Sequence, residues 1–394
     1  MSRRYQSGHG TVTSCGGGRR SERPGETPPP HESAVPFSTM RTTWIAALLV
    51  SSLGCGGTSA APIDCKAGQT ACGGKCVDVS SDAQNCGACG RDCLGGACQA
   101  NVCQVATVAQ PGGDPYGLAL DSTSVYFTTV TTGNVYSCPL AGCGASPTTL
   151  ATGLQSPSGI ASDGKNVYIA TLTSVLSCPV TGCGASPAVF AANQGDPSVV
   201  VVDATRVYWT NHTGNQVMSC PIAGCAGQPT VISPNETAAE GLAIDGTNAY
   251  WTNAFTPGGT VNKCPLAGCG GLASTVLTTG LSLPQSIVTD GKNVYFTVYS
   301  GNAVMSCPVS GCGATPTPLI TLSGAYDGIA VDGTDLYVVN GFDDGSVLKC
   351  ATTGCPGGPT VLATKQGKPG KIAVNARAIY WTASKSGTVM VLAK

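Results

Sequence analysis

The chain has 394 residues, 42% of them hydrophobic and 10% charged, with a formal net charge of -1. That much apolar residue can build a large core without a structural metal, and the near-neutral balance, with no basic stripe after residue 60, argues against a nucleic-acid partner. No apolar run approaches the roughly 20 residues that a membrane-spanning helix needs. The 54 glycines and 26 prolines, set among many Thr, Ser and Val, favour strands joined by tight turns, so an all-β fold is expected. Twenty-two cysteines suit an exported protein in an oxidising compartment.

Residues 1–39 are polar and rich in Pro, Gly and Arg, which predicts a leader that is disordered or not translated at all, with the true start at Met40. From there "MRTTWIAALLVSSLGCGG" places one positive charge before an apolar core and ends in small residues, the pattern of a signal peptide over 40–55. It resembles a bacterial lipoprotein signal. That resemblance implies lipidation of Cys55 as the first residue of the mature chain, the alternative being an ordinary signal peptide with Cys55 as a spare thiol. Residues 56–64 form a linker.

Eight cysteines then fall within 65–103, a segment too small to hold itself together by apolar burial, so four disulfides are expected. Zinc competes, because Cys86 and Cys89 have ligand spacing, but the segment holds no histidine and export favours oxidation. The run "CGGKCVDVSSDAQNCGACGRDC" resembles the Stig1-type cysteine-rich domain. The resemblance implies an extracellular module and no particular reaction; the connectivity stays open.

From residue 104 to 394 one unit repeats. The phrase "NVYSCPLAGCGASP" and its variants put the first cysteine of a pair at 138, 178, 220, 264, 307 and 350, spacings of 40, 42, 44, 43 and 43. That period is typical of propeller blades. Each unit reads as an apolar strand ending in Asp ("GLALD", "GIAVD"), an aromatic strand ("VYFT", "VYWT"), a strand running into the cysteine turn, and a fourth strand such as "PTVIS". The apolar strand occurs seven times, but the chain stops before a seventh fourth strand. Residues 104–111, "QVATVAQP", fit that place, so a seven-bladed β-propeller closed by its N-terminal strand is expected. "VYWT" and "AYWT" resemble the YWTD-type propellers and "GIAVDGTDLYVVN" the NHL type.

Six cysteine pairs have four residues between them and Gly just before the second: Cys138–Cys143, Cys178–Cys183, Cys220–Cys225, Cys264–Cys269, Cys307–Cys312 and Cys350–Cys355. Such a turn brings the two sulfurs within disulfide reach, and the expectation is a staple at the outer rim of each blade rather than a reactive dithiol. The aspartates at 121, 163, 203, 245, 290 and 332 are mostly followed by Gly and a polar residue, which is turn chemistry rather than a metal motif. No metal or other cofactor is expected, and "FDDGS" is too short for a calcium loop.

Catalysis has little to stand on, because His212 is the one histidine after Cys55 and no histidine–acid pair is evident in the sequence. Propeller enzymes of the virginiamycin B lyase type keep a lyase or hydrolase as the remote reading. The candidate binding face is the loop from each fourth strand into the next first strand, where Pro and Gly recur while Tyr116, Ser158, Ser198, Glu240, Gln285, Asp327 and Lys371 vary from blade to blade. The expected protein is a monomeric, exported, lipid-anchored binding or adhesion protein of the bacterial cell envelope or surface, its partner a glycan, peptide or surface protein. The alternative is a structural surface protein without a specific ligand.

Overall fold

The computed structural model describes residues 63–321 and 326–394, so the leader, the signal segment and Cys55 lie outside the described residues. Seven four-stranded antiparallel sheets follow one another along the chain, and among the described residues there is no helix. In blade 1 the strands are Pro115–Leu120, Ser124–Thr129, Asn134–Pro139 and Thr148–Ala151, in that order across the sheet. The first strands line a central cavity. Second strands carry the aromatic signature and are buried on both faces, because each blade is sandwiched between its neighbours; Trp209, Trp251, Trp381, Tyr208 and Tyr250 are all fully covered.

The N-terminal strand closes the ring as expected. Ala106–Ala109 pairs with Thr388–Ala393, setting Ala109 opposite Val389 and Ala106 opposite Val391, so blade 7 takes its outer strand from the other end of the propeller.

The threonine that ends "VYFT", "VYWT" and their variants is fully buried in blades 1, 3, 4, 5 and 7, and in blades 1, 3, 4 and 7 it joins one blade to the next. Thr128 accepts from the Gly117 amide at 2.8 Å and donates to the Ser158 carbonyl of blade 2 at 3.0 Å. Thr210 donates to Glu240, Thr252 to Gln285 and Thr382 to Tyr116, each bond crossing to the following blade. The contact is so close that a Cβ on Gly117 would lie 2.0 Å from the Ser158 carbonyl oxygen, and one on Gly241 2.0 Å from that of Gln285. Glycine is therefore what lets the first strands of blades 1 and 4 approach those of the following blades this closely.

At the opposite end of the strands the six aspartates behave as turn residues. Asp245 Oδ1 accepts from the amides of Thr247 and Asn248 at 2.7 Å, while Oδ2 accepts from the Tyr250 hydroxyl at 2.7 Å. The Asp–Tyr bond recurs at 121/126, 163/168, 203/208, 290/295 and 332/337. In blade 7 Asn375 keeps the backbone bonds, and Tyr380 donates to the Leu140 carbonyl of blade 1 instead. Partial burial pushes these carboxyls up, but hydrogen bonds from tyrosine, backbone and neighbouring side chains, led by Lys394 at Asp332, outweigh it and hold all six below the usual range. The tyrosines move the other way: burial and the neighbouring carboxylate push Tyr126 and Tyr208 up to about 12.

A depressed carboxyl stabilises the fold above its unfolded value, about 3.9, and that contribution is lost as pH falls through the folded value. A raised tyrosine contributes fully below its unfolded value, about 10, and the contribution is lost as pH rises through the folded one. Melting temperature should therefore hold between about pH 5 and pH 9 and fall on both sides. Asp245→Asn, which copies Asn375, should flatten the acid limb; a parent equally stable at about pH 2.5 and pH 6 would contradict the assignment.

All six i, i+5 cysteine pairs are disulfides with Cα separations of 5.4 to 5.6 Å, and the glycine before each second cysteine has φ between +96° and +104°. They are the expected staples at the turns between third and fourth strands, and their setting adds a contact that the sequence did not show. The first cysteine of each pair is buried, and most of the turns reach back onto the preceding blade. The Cys143 and Gly144 amides donate to Val108 of the outer strand of blade 7, Cys183 and Gly184 to Leu150, and Cys312 and Gly313 to Leu277. The disulfide thus shapes a turn that clasps two blades together.

In the N-terminal module the bonds are Cys65–Cys76, Cys72–Cys89, Cys86–Cys98 and Cys93–Cys103. The Sγ atoms of Cys86, Cys93 and Cys103 lie within 4.8 Å of one another because two of these disulfides stack. The module is not a separate bead on a tether. Cys86, Cys93, Leu94 and Cys103 pack into one cluster with Val108, Tyr380 and Val391, and Arg91 Nε donates to the Lys394 carbonyl at 2.7 Å. This docking lies at the cysteine-turn end of the strands, away from the loops that enter the first strands.

Candidate functional site at the channel mouth

The loops entering the first strands, together with those between second and third strands, surround one end of the channel. A cavity of about 350 Å³ runs along the first strands and is lined near this mouth by Tyr116, Ser198, Ser286 and Lys371. A neighbouring groove of about 530 Å³ lies over blades 6, 7 and 1, between Asp114, Tyr116, Asp327, Lys368 and Gly370. Tyr116 borders both. Of the seven sequence candidates, Tyr116, Ser198 and Lys371 face the cavity and Asp327 the groove.

The other three are placed differently. Ser158 turns its hydroxyl onto the Pro197 and Ser198 carbonyls, both at 3.3 Å, and so joins blades 2 and 3. At Gln285 it is the main-chain carbonyl that is used, as the acceptor for Thr252, and the next residue, Ser286, lines the cavity in its place. Glu240 stands just behind the wall, where Ser198 Oγ donates to Oε1 at 2.8 Å and His212 Nδ1 lies 3.0 Å from Oε2.

That last contact corrects the reading that no histidine–acid pair exists. His212 follows the second strand of blade 3 and Glu240 opens the first strand of blade 4, so only the ring brings them together. The hydrogen bond to Glu240 raises the His212 pKa, against burial and with help from the charges of Glu240 and Asp196. Burial pushes Glu240 up, but His212, Lys371 and Ser198 together hold it below the usual range.

Lys371 occupies a position that is Gly in blades 1, 2, 4 and 6. Its ammonium lies 5.3 Å from the centre of the Tyr116 ring. Burial opposes its charge, yet Tyr116, Asp327 and Glu240 offset this and its pKa is raised. The mouth therefore presents a permanent cation beside acids, on a rigid ring.

Residues 47–106 match the stigma-specific STIG1-like protein family. The propeller is similar to solved seven-bladed and other propellers at low identity. Virginiamycin B lyase from Staphylococcus aureus superposes with a TM-score of 0.58 at 13% identity, over 74% of this chain and 98% of that one. The WD40 propeller of Doa1 gives 0.59 at 10%, over 73% and 94%. YCF48, solved bound to D1 peptide, gives 0.57 at 10%, over 74% and 96%. At these identities the likeness is one of fold. None of the curated proteins matches the chain in sequence.

Beneath the mouth a polar contact escaped the sequence reading. Glu236 is 4% exposed and accepts from Ser233 Oγ at 2.7 Å, Trp251 Nε1 at 2.9 Å and Asn253 Nδ2 at 2.9 Å. In blade 3 Gln194 does the same for Trp209 and Asn211 with a single oxygen. The signal was available: a Gln or Glu fifteen residues before the tryptophan of the same blade, in "NQGDPS" and "NETAAE".

Proposed function

We propose that the protein is an exported binding protein whose ligand face is the mouth carrying Tyr116, Ser198, Glu240, Asp327 and Lys371. The observation that supports this best is the spread of chemistry at one structural register: the position of Tyr116 is aromatic, hydroxyl, amide, acid or glycine from blade to blade, and Lys371 adds a base one residue further along blade 7. The ten disulfides among the described residues and the STIG1-like segment support export. The signal pattern ending at Cys55 extends this to a lipid-anchored protein of a bacterial cell envelope, with a propeller of the NHL or YWTD type and a glycan, peptide or surface protein as partner.

The His212–Glu240 contact is the observation that favours catalysis instead. Binding is preferred because Ser198 donates to the carboxylate and not to the imidazole, so no serine–histidine relay forms. A glycan and peptide array probed with the purified protein tests the proposal. Specific ligands should appear, and they should be lost from the Asp327→Ala variant without a fall in melting temperature. An array that retains nothing would leave the structural role as the better account.

A further inference from the structure

The cysteine turns do not close every seam between blades alike. In blades 1, 2, 4 and 5 the amide of the second cysteine donates to the preceding blade's outer strand, at the carbonyls of Val108, Leu150, Ile232 and Leu277, over 2.8 to 3.0 Å. In blade 6 the Cys355 sulfur rests 3.4 Å from the corresponding oxygen of Leu319. Two seams have neither contact. The blade 3 turn stands off Phe190 of blade 2: among the described residues the Cys225 and Ala226 amides donate to nothing. A Cβ on Gly224 of that turn would meet no atom within 4 Å, whereas one on Gly142 or Gly268 would lie 3.4 Å from a neighbour's carbonyl oxygen. The seam of blades 6 and 7 has no cysteine turn at all, because the outer strand of blade 7, Ala106–Ala109, enters from the N-terminal module.

Coverage of the outer strands follows the same division. Val108, Leu150, Ile232 and Leu277 are at most 1% exposed, while their counterparts in blades 2 and 6, Phe190 and Leu362, are only half-buried. What the Leu362 edge lacks is seen in blade 1, where Leu150 accepts from the Gly184 amide at 3.0 Å and Thr152 donates back to the Gly184 carbonyl at 3.1 Å. Thr364, two residues beyond Leu362, is exposed, and among the described residues no turn meets either group. Beside them lies a groove of about 590 Å³ walled by Val361, Leu362, Leu392, Val102 and Gln104. An open strand edge of this kind is a template for another chain.

We propose that the blade 3 turn of one molecule seats on the blade 6 edge of a second copy, the Ala226 amide donating to the Leu362 carbonyl and the Thr364 amide donating to the Ala226 carbonyl. The turn already has the shape: Ala226 has a φ of +51°, against +59°, +63° and +62° for Gly144, Gly184 and Gly313, which bridge to the preceding blade in blades 1, 2 and 5. The two halves cannot meet within one ring, where blades 3 to 6 separate the seams on one side and blades 7, 1 and 2 on the other. Turn and groove are different surfaces, so the contact is head-to-tail and extends beyond two molecules. It does not depend on the binding role of the mouth.

A contact of one turn buries less than the roughly 1,200 Å² of stable complexes, so the self-association should be weak, with a Kd between about 1 µM and 1 mM. Sedimentation velocity of the purified protein across that range should show the average mass rising with concentration. Ala226→Pro removes the amide of the turn, at a position where blade 6 carries Pro356, and Thr364→Pro removes the amide of the groove. Each variant should associate at least tenfold more weakly than the parent at an unchanged melting temperature. Mixed together they should form a dimer that grows no further, because one intact groove and one intact turn remain between them. A parent that stays monomeric over the whole range overturns the proposal and leaves the groove to the chain's own N-terminal residues or to a foreign protein. Association that survives in both variants, or variants that do not pair when mixed, overturns it as well.

Discussion

Replacing residues 104–110 by a Gly/Ser linker of equal length should lower the melting temperature by about 10 °C or more. The module stays attached in this variant, so the effect isolates the closing strand. Burial of Val108 is worth about 1.5 to 3 kcal/mol by itself. Its carbonyl also accepts from the Cys143 and Gly144 amides, and the strand supplies the ladder along Val389–Val391; each lost bond adds about 1 kcal/mol. The summed loss of roughly 5 kcal/mol is large because Thr388–Ala393 becomes an open edge and the turn of blade 1 loses its anchor at the same time. A variant that melts within about 2 °C of the parent would show that blade 7 holds without its fourth strand.

Glu236→Ala should cost about 3 kcal/mol or more, since it strands the Trp251 indole N–H, the Asn253 amide and the Ser233 hydroxyl at about 1 to 3 kcal/mol each. For a chain of this size that is a fall of at least about 6 °C. Glu236→Gln should be much milder, because Gln194 serves the same indole and amide in blade 3 through one oxygen. Equal damage from both substitutions would mean that shape, and not the acceptor, matters at this position. Circular dichroism melts of the three proteins decide it.

The repeat was legible because each strand sits in the same environment seven times. A residue that must be aromatic between two blades, or glycine against a neighbour's carbonyl, recurs at a fixed interval and shows as a period. The closing strand was legible for the same reason, as a fourth strand found out of place. Contacts that occur once leave no such trace. His212 and Glu240 are 28 positions apart in different blades, and nothing in "NHTGN" or "TAAEG" marks one as the partner of the other. The inter-blade role of the cysteine turn was missed because a short disulfide reads as local, whereas its energetic reach comes from the amides it holds toward Val108, Leu150 and Leu277. Docking of the cysteine-rich module was hidden as well, since the cysteines that cover blades 7 and 1 are the same ones that staple the module.

The most direct test of the account is to localise a ligand on the ring. The strongest array ligand should be titrated against the parent, the Asp327→Ala variant, and a Ser122→Ala/Lys165→Ala variant altered at the opposite end of the channel, where both residues are exposed. The account predicts at least a tenfold loss of affinity in the first variant and none in the second, with all three melting alike. Undiminished binding by the first variant together with loss in the second would contradict it and move the site to the face of the cysteine turns.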